Sequence, residues 1–588
     1  MHRALTKLKL LVGMSLLITA LVASPQNSPA PGQSPEQSAL RRGQALLAKG
    51  DVAGARTEFE KAVRLAPENA TAQSALGWVL AQQGDSESAV SHLRNAIHLK
   101  PDFVEPRLTL ASILAQQGNV AEGEQEARAA IKIAPDDPEA HRALAKIESQ
   151  SAPEEALAEL KRATELAPQR ADLKDELGTL FAQRNQFPEA EAAFGDALRL
   201  EPELASAHFH LGVVKLETQR LDDGVKELNR AVELNPKDAT AHYYLAQALA
   251  AQSKNKEAVD ELRKATALKP DSFELQVELG VASQRSGDVD GAVKAFHEAL
   301  RLHPGDAEIY NDIGLALLQK GDAEGAIPQF KSAVELKPQD GSLRGNLAIA
   351  YIQLADFDAA VSELDAALKI APANPSLHYD LGLAYKLKDQ LDKAVLEFDK
   401  AIRLQPDLTD AHYTLGILFW QRGEFDKAAA EMRAAIGIQP SYAEAHYMLG
   451  TILKQQGKLQ DSASELREAI RLQPDFAGAH TTLAGVLRQL GDSAGAALEA
   501  KEGARIAASV NNLQAATVST NSGKRLLGAG DLEGAIAQFR SAIHSEPKSA
   551  AAHYQLGLAL QQSGQKEEAR KEFQRAAELD PTLSFPGK

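Results

Sequence analysis

Eight of the chain's fifteen histidines fall into one register: His141, His208, His242, His378, His412, His446, His480 and His553. An imidazole can bind a metal or carry a proton near neutral pH. A metal site, however, needs ligands that converge within a few ångströms, and successive members of this set stand 34 residues or more apart, one to each copy of a repeated unit. Packing between helices is therefore expected of them, and no metal is assigned. The paired carboxylates Asp136-Asp137 and Asp222-Asp223 sit in turns and read as capping or solvated groups rather than acid–base pairs. No Gly-rich phosphate loop, His-Glu-x-x-His or nucleophile elbow occurs. With no cysteine in the chain, zinc-thiolate sites, Cys nucleophiles and disulfides are excluded. No catalytic residue and no cofactor is assigned, and the expected class is non-enzymatic.

What positions these side chains is a repeat marked out by prolines. They stand at Pro67, Pro101, Pro135, Pro168, Pro202, Pro236, Pro270, Pro304, Pro338, Pro372, Pro406, Pro440, Pro474, Pro547 and Pro581, with gaps of 34 residues except for one of 33 and one of 73. So strict a period means one structural unit copied along the chain. With proline placed at position 32 of the unit, position 8 is Gly or Ala, as in Gly77, Gly314 and Gly382, small enough for two helices to approach closely. Positions 20 and 27 are again small, as in Ala55 and Ala62, two turns apart on one face. Between the two halves come Gly-Asp breaks such as Gly84-Asp85 and Gly321-Asp322. Glycine supplies the positive φ that closes a helix, and aspartate can start the next. The unit is two helices and a tight turn, and proline, lacking an N–H, ends the second.

Small residues at positions 8, 20 and 27, an aromatic such as Phe59, Phe539 or Phe573 at 24 and proline at 32 resemble the tetratricopeptide repeat (TPR). The resemblance runs over residues 36–583, sixteen copies in register. It implies an all-α fold, a right-handed α-solenoid superhelix of tandem helix-turn-helix repeats. In that family the first helix of each repeat lines the inner, concave surface. Carried onto this chain, position 5 gives Phe209, Tyr243, Tyr379, Tyr413, Tyr447 and Tyr554, while Trp78 falls at position 9 and Trp420 at position 12. Position 13 is mostly glutamine, including Gln319, Gln353, Gln421 and Gln455. An apolar floor edged by neutral donors and acceptors suits an extended peptide, and aromatic rings would also suit a glycan. The plainer reading, in which Tyr and Gln are solubilising or turn-supporting residues copied with the repeat, stays open. Two binding signatures known in the family are missing. No three consecutive repeats supply the Lys, Asn and Arg of the carboxylate clamp of chaperone-binding members. Of the asparagine ladder of O-linked N-acetylglucosamine transferases, only Asn346 and Asn521 are present.

Composition fits this picture. A chain of 588 residues with 44% hydrophobic but only 5% aromatic residues is too long for one globular core and natural for stacked Ala-rich helix pairs. Its net charge of −16, with Lys and Arg scattered through every repeat, argues against a nucleic-acid partner, which needs a basic stripe. Proteins or extended peptides are the expected partners, with a glycan as the alternative.

Residues 1–24 read as a signal peptide or N-terminal anchor: His2, Arg3, Lys7 and Lys9 precede an apolar run from Leu10 to Ala23, short for a bilayer span. Export is expected, with any membrane attachment confined to this segment. Residues 25–35, rich in Pro, Ser and Gln, read as a linker. Repeats 1–14 fill 36–510 and repeats 15–16 fill 516–583, with a tail at 584–588. Repeat 14 has Gly503 where Ala is expected and Ala508 where proline is expected, and the five residues Asn511 to Ala515 are extra. Without the proline the second helix should run on until the two adjacent asparagines offer a stop, and the stacking angle should change there; residues 511–515 read as a plain insertion or as a hinge.

Overall fold

The computed structural model describes residues 34–583, which hold thirty-one α-helices and no strand. The signal segment, most of the linker and the tail lie outside these residues. Two compact units divide the chain, one ending at Gly305 and one beginning at Asp306, so that repeats 1–8 fall in the first and 9–16 in the second. Within each unit the first helix of a repeat (the A helix) packs on the second (the B helix), and the B helix packs on the A helix that follows. The first unit begins with α1 (Pro35–Leu47) and ends with α16 (Val289–Leu302); the second runs from α17 (Ala307–Lys320) to α31 (Lys566–Leu579).

The core follows from the repeat columns. Ala55 and Ala62 are fully buried, as are the corresponding alanines through most of the array. Position 24 is the bulky residue, and Phe59, Phe194, Phe296, Phe330, Phe398 and Phe539 are all at most 1% exposed. Each of these rings lies over a position-8 glycine of its own A helix. A Cβ on Gly314 would meet Phe330 Cε1 at 2.5 Å, and one on Gly382 would meet Phe398 at 2.8 Å. The sequence encodes the pairing. Every repeat with Phe at 24 has Gly at 8, whereas the alanines Ala246 and Ala348 face the shorter Leu262 and Leu364. The gap left by the small residue is thus filled by the ring from the B helix, and not by the leucine that precedes the glycine. Burying such a ring contributes about 2–3 kcal/mol, and the glycine is what admits it.

The A–B turn also follows the pattern. Gly84, Gly287 and Gly321 take φ of 81°, 84° and 82°. Asp85, Asp288 and Asp322 then cap the B helix by accepting hydrogen bonds from the N–H groups of Ser88, Gly291 and Gly325 at 3.2, 3.0 and 2.8 Å. In five repeats the same left-handed position is held by Asn185, Gln219, Ser253, Ala355 or Asp389. The packing of the helices on either side imposes that conformation against local preference.

Two irregularities stand out. Repeat 4 has a short A helix, α7 (Pro138–Glu148), joined to α8 (Pro153–Leu166) without a left-handed residue. At repeat 14 the helix α28 runs unbroken from Ser493 to Gly528, 36 residues, and corrects the expected stop at Asn511-Asn512. The B helix of repeat 14 and the A helix of repeat 15 are one rod, and residues 511–515 are helical rather than a break. Asparagine lowers helix propensity by only ~0.7 kcal/mol, too little to end a helix without a Gly in the left-handed region or a Pro. Between Ile506 and Ala516 no residue of α28 is buried.

Candidate functional site

The histidine column is a set of matching joints. In each of the eight repeats His Nε2 donates to the carbonyl of the proline six residues earlier, at 2.8–3.2 Å. Nδ1 lies 2.5–2.7 Å from a carboxylate oxygen of a glutamate on the B helix. The proline whose missing N–H ends one repeat therefore uses its C=O to anchor the next. The sequence reading expected packing here but missed the glutamates, Glu159, Glu227, Glu261, Glu397, Glu431, Glu465, Glu499 and Glu572. The signal was present: a glutamate recurs 18 or 19 residues after each histidine. Other repeats use substitutes. Arg107 donates to the Pro101 carbonyl at 3.0 Å and to Glu126 at 2.5 Å. In repeat 2 the roles are exchanged, with Gln73 Nε2 donating to the Pro67 carbonyl at 2.8 Å while its Oε1 meets His92 Nδ1 at 2.6 Å. Among the described residues no three His, Asp or Glu side chains converge to hold a metal ion. Asp137 caps α7 by accepting from Glu139 N–H at 3.0 Å, and Asp222 accepts from Gln252 Nε2 at 2.7 Å.

In the first unit the three expected partner-binding aromatics are placed unevenly. Trp78 on α3 (Ala70–Gln82) is half-buried against the first core cluster. Phe209 on α11 (Ala205–Glu217) is only 8% exposed and packs on His210 and Tyr244, so it belongs to the core and offers a partner little surface. Tyr243 on α13 (Ala239–Ala251) is half-buried. Burial and the neighbouring Glu278 push its hydroxyl well above the ordinary range, and Gln247 Nε2 donates to it at 2.5 Å. His210 is separate from the histidine column. Burial would lower its pKa, but the Asp175 carboxylate at 2.9 Å outweighs that and raises it.

In the second unit a tighter group forms on the A helices of repeats 11 to 13: α21 (Pro375–Leu387), α23 (Thr409–Gln421) and α25 (Ala443–Gln455). Tyr379, Tyr413 and Tyr447 are each half-buried on them. The Tyr413 ring tilts against Tyr442 with centroids 5.0 Å apart, and Tyr447 against Phe476 at 4.7 Å. Tyr442 and Phe476 were missed in the sequence; both stand two residues after a position-32 proline, Pro440 and Pro474, and occupy the N-cap positions of α25 and α27 (Ala477–Gln489). The local field is acidic. Tyr379 is raised by burial and by Asp410 and Asp380. Tyr442 is pushed up to about 12 by burial together with Tyr413, Asp410 and Glu444. Burial alone pushes Asp380 up to about 6.

Trp420 is half-buried against the same core cluster as Tyr413. Tyr554 on α30 (Ala550–Gln562) leans edge-on against Phe573 at 5.4 Å, far along the chain from the other three tyrosines. Gln353, Gln421 and Gln455 are exposed last residues of their A helices, and Gln319 is exposed one residue before the end of α17. They finish helices as well as edging a face.

The chain matches tetratricopeptide repeat models over residues 40–102, 176–232, 214–273, 277–341, 388–443, 413–453, 447–511 and 520–584, and a second model of the same description over 80–147 and 317–381. No curated protein matches it. Among solved structures it is similar to a chain in the crystal structure of the APC/C hetero-tetramer Cut9-Hcn1, at 14% identity and TM-score 0.34, covering 77% of this chain and 97% of that one. It is also similar to YrrB, described as a TPR protein with an unusual peptide-binding site, at 24% identity and TM-score 0.27 over 32% of this chain and 96% of that one. A third is PilF of Pseudomonas aeruginosa, at 20% identity and TM-score 0.32, covering 34% and 93%. With repeat models covering most of its length and its helices stacked as alternating A and B elements, this chain belongs to the tetratricopeptide repeat family, an all-α helical repeat solenoid built as a protein-interaction scaffold.

Proposed function

We propose that the protein is an exported, non-enzymatic scaffold whose A-helix face binds extended peptide segments of partner proteins in a cell-envelope assembly or secretion system. The observation that carries the groove is the row Tyr379, Tyr413 and Tyr447, half-buried on three successive A helices with Tyr442 and Phe476 packed beside them. Rings fixed on rigid helices offer contact area at little entropic cost, the property that makes aromatic side chains binding hot spots. Export rests on the basic residues followed by the apolar run Leu10 to Ala23. The second reading, a glycan-binding or exopolysaccharide-export accessory, rests on the same rings, since a sugar face also stacks on aromatics.

Peptide arrays and polysaccharide affinity gels separate the two. Tyr413→Ala combined with Tyr447→Ala should abolish capture on the array and leave migration in the gels unchanged. The converse favours the glycan, and binding that ignores both substitutions refutes the groove.

A further inference from the structure

We propose that the rod α28 is the interface of a homodimer in which two copies of this chain exchange repeats 15 and 16. The inference is independent of the peptide groove. Within the second unit each B helix packs on the A helix that follows it. In α28 the B helix of repeat 14 and the A helix of repeat 15 are one unbroken helix from Ser493 to Gly528, so they cannot pack on each other. Both halves of that interface are left bare. Position 3 of the A helix is buried in repeats 10–14 and 16, yet in repeat 15 it is Val518, 65% exposed. Position 21 of the B helix is buried or half-buried in repeats 9–13 and 15. It is exposed at Arg570 in repeat 16, on which no later described repeat packs, and again at Ala497 in repeat 14.

The bare surface is apolar and continues one that is already closed. Leu498, Val510, Leu513 and Val518 are 56–70% exposed, more than any other large apolar side chain among the described residues, and all four lie on this rod. A seam begins at Gly503, which faces Ala477 and His480 of the preceding A helix, and passes through the buried Ile506. At steps of four, three and four residues it then reaches Val510, Leu513 and Thr517, exposed on the same face of the helix. Laid antiparallel about the middle of the rod, near Asn511, two copies set the repeat-14 half of each against the repeat-15 half of the other. The packing that one chain cannot make with itself is then made between chains, as in other domain swaps. The contact is isologous and closes at two copies. A different protein would have to match both faces, whereas a second copy already carries the two matching halves.

The test takes the full chain through size exclusion with light scattering, and through sedimentation over the micromolar range. Twice the chain mass should be found. Val510 and Leu513 are 56% and 57% exposed within one copy, so Val510→Asp with Leu513→Asp should keep the circular dichroism of the parent. The dimer should nevertheless dissociate at least about tenfold more readily. The chain has no cysteine, so the exchange itself can be read by crosslinking. Antiparallel about Asn511, Ala504 of one copy comes level with Val518 of the other. Within one copy these two stand about 21 Å apart along the helix, too far for a disulfide. Ala504→Cys with Val518→Cys should therefore give disulfide-linked dimers, and neither single variant should. A monomeric parent, a dimer indifferent to the two aspartates, or a double-cysteine variant that links no better than the single ones overturns the proposal.

Discussion

His412 Nδ1 lies 2.6 Å from Glu431 Oε2, across nineteen residues and from one helix of the repeat to the other, while His412 Nε2 donates to the Pro406 carbonyl at 3.1 Å. One ring thereby ties the A helix, the B helix and the end of the preceding repeat. His412→Leu leaves two acceptors unsatisfied and should cost about 1–3 kcal/mol. His412→Gln combined with Glu431→His, which copies the exchanged arrangement of Gln73 and His92, should cost markedly less. Because contacts in a solenoid are local, hydrogen exchange over residues 409–438 is the measurement. Equal protection loss in the two variants would refute the role given to the proline carbonyl.

Gly382 and Phe398 form a second coupled pair. A Cβ at 382 would stand 2.8 Å from the ring, so Gly382→Ala should destabilise the repeat by about 1–3 kcal/mol. Adding Phe398→Leu should recover part of that loss, since Ala348 faces Leu364 in repeat 10. A double-mutant cycle by denaturant unfolding reads the coupling. Additive effects would show that ring and glycine are not in steric contest.

Asp380 predicts a pH dependence. Burial raises its carboxyl from 3.8 to about 6, so the folded state holds the proton longer than the unfolded chain does. Below pH 3.8 both states are protonated and there is no penalty; the penalty grows as pH rises from 3.8 and is complete above about 6. Asp380→Asn removes it, and should raise stability at neutral pH by up to about 3 kcal/mol while changing little in acid. A thermal-melt series across that window checks this.

The rod α28 gives the fourth prediction. Residues 507–515 are helical and exposed on every side, so Asn512→Pro breaks the helix where no tertiary contact supports it, at about 3 kcal/mol. Limited proteolysis should then cut within this stretch and release repeats 15 and 16, whereas the parent chain resists. Equal cleavage of both would show that the stretch is not a continuous helix in solution.

Much of this protein was determined by its sequence alone. The prolines, the small residues at 8, 20 and 27 and the Gly-Asp breaks each act within one or two turns of helix, where steric and hydrogen-bonding preferences are local. They placed the repeats, most helix ends and the layering of the histidines without reference to any distant contact. The tertiary structure decided what depends on approach between helices. It assigned each histidine its glutamate and its carbonyl, drew Phe209 into the core while leaving Tyr413 and Tyr447 half-exposed, and brought Tyr442 and Phe476 beside them. It also fused two helices at Asn511-Asn512, because a helix ends only where a breaker or a packed turn makes it end, and repeat 14 has neither.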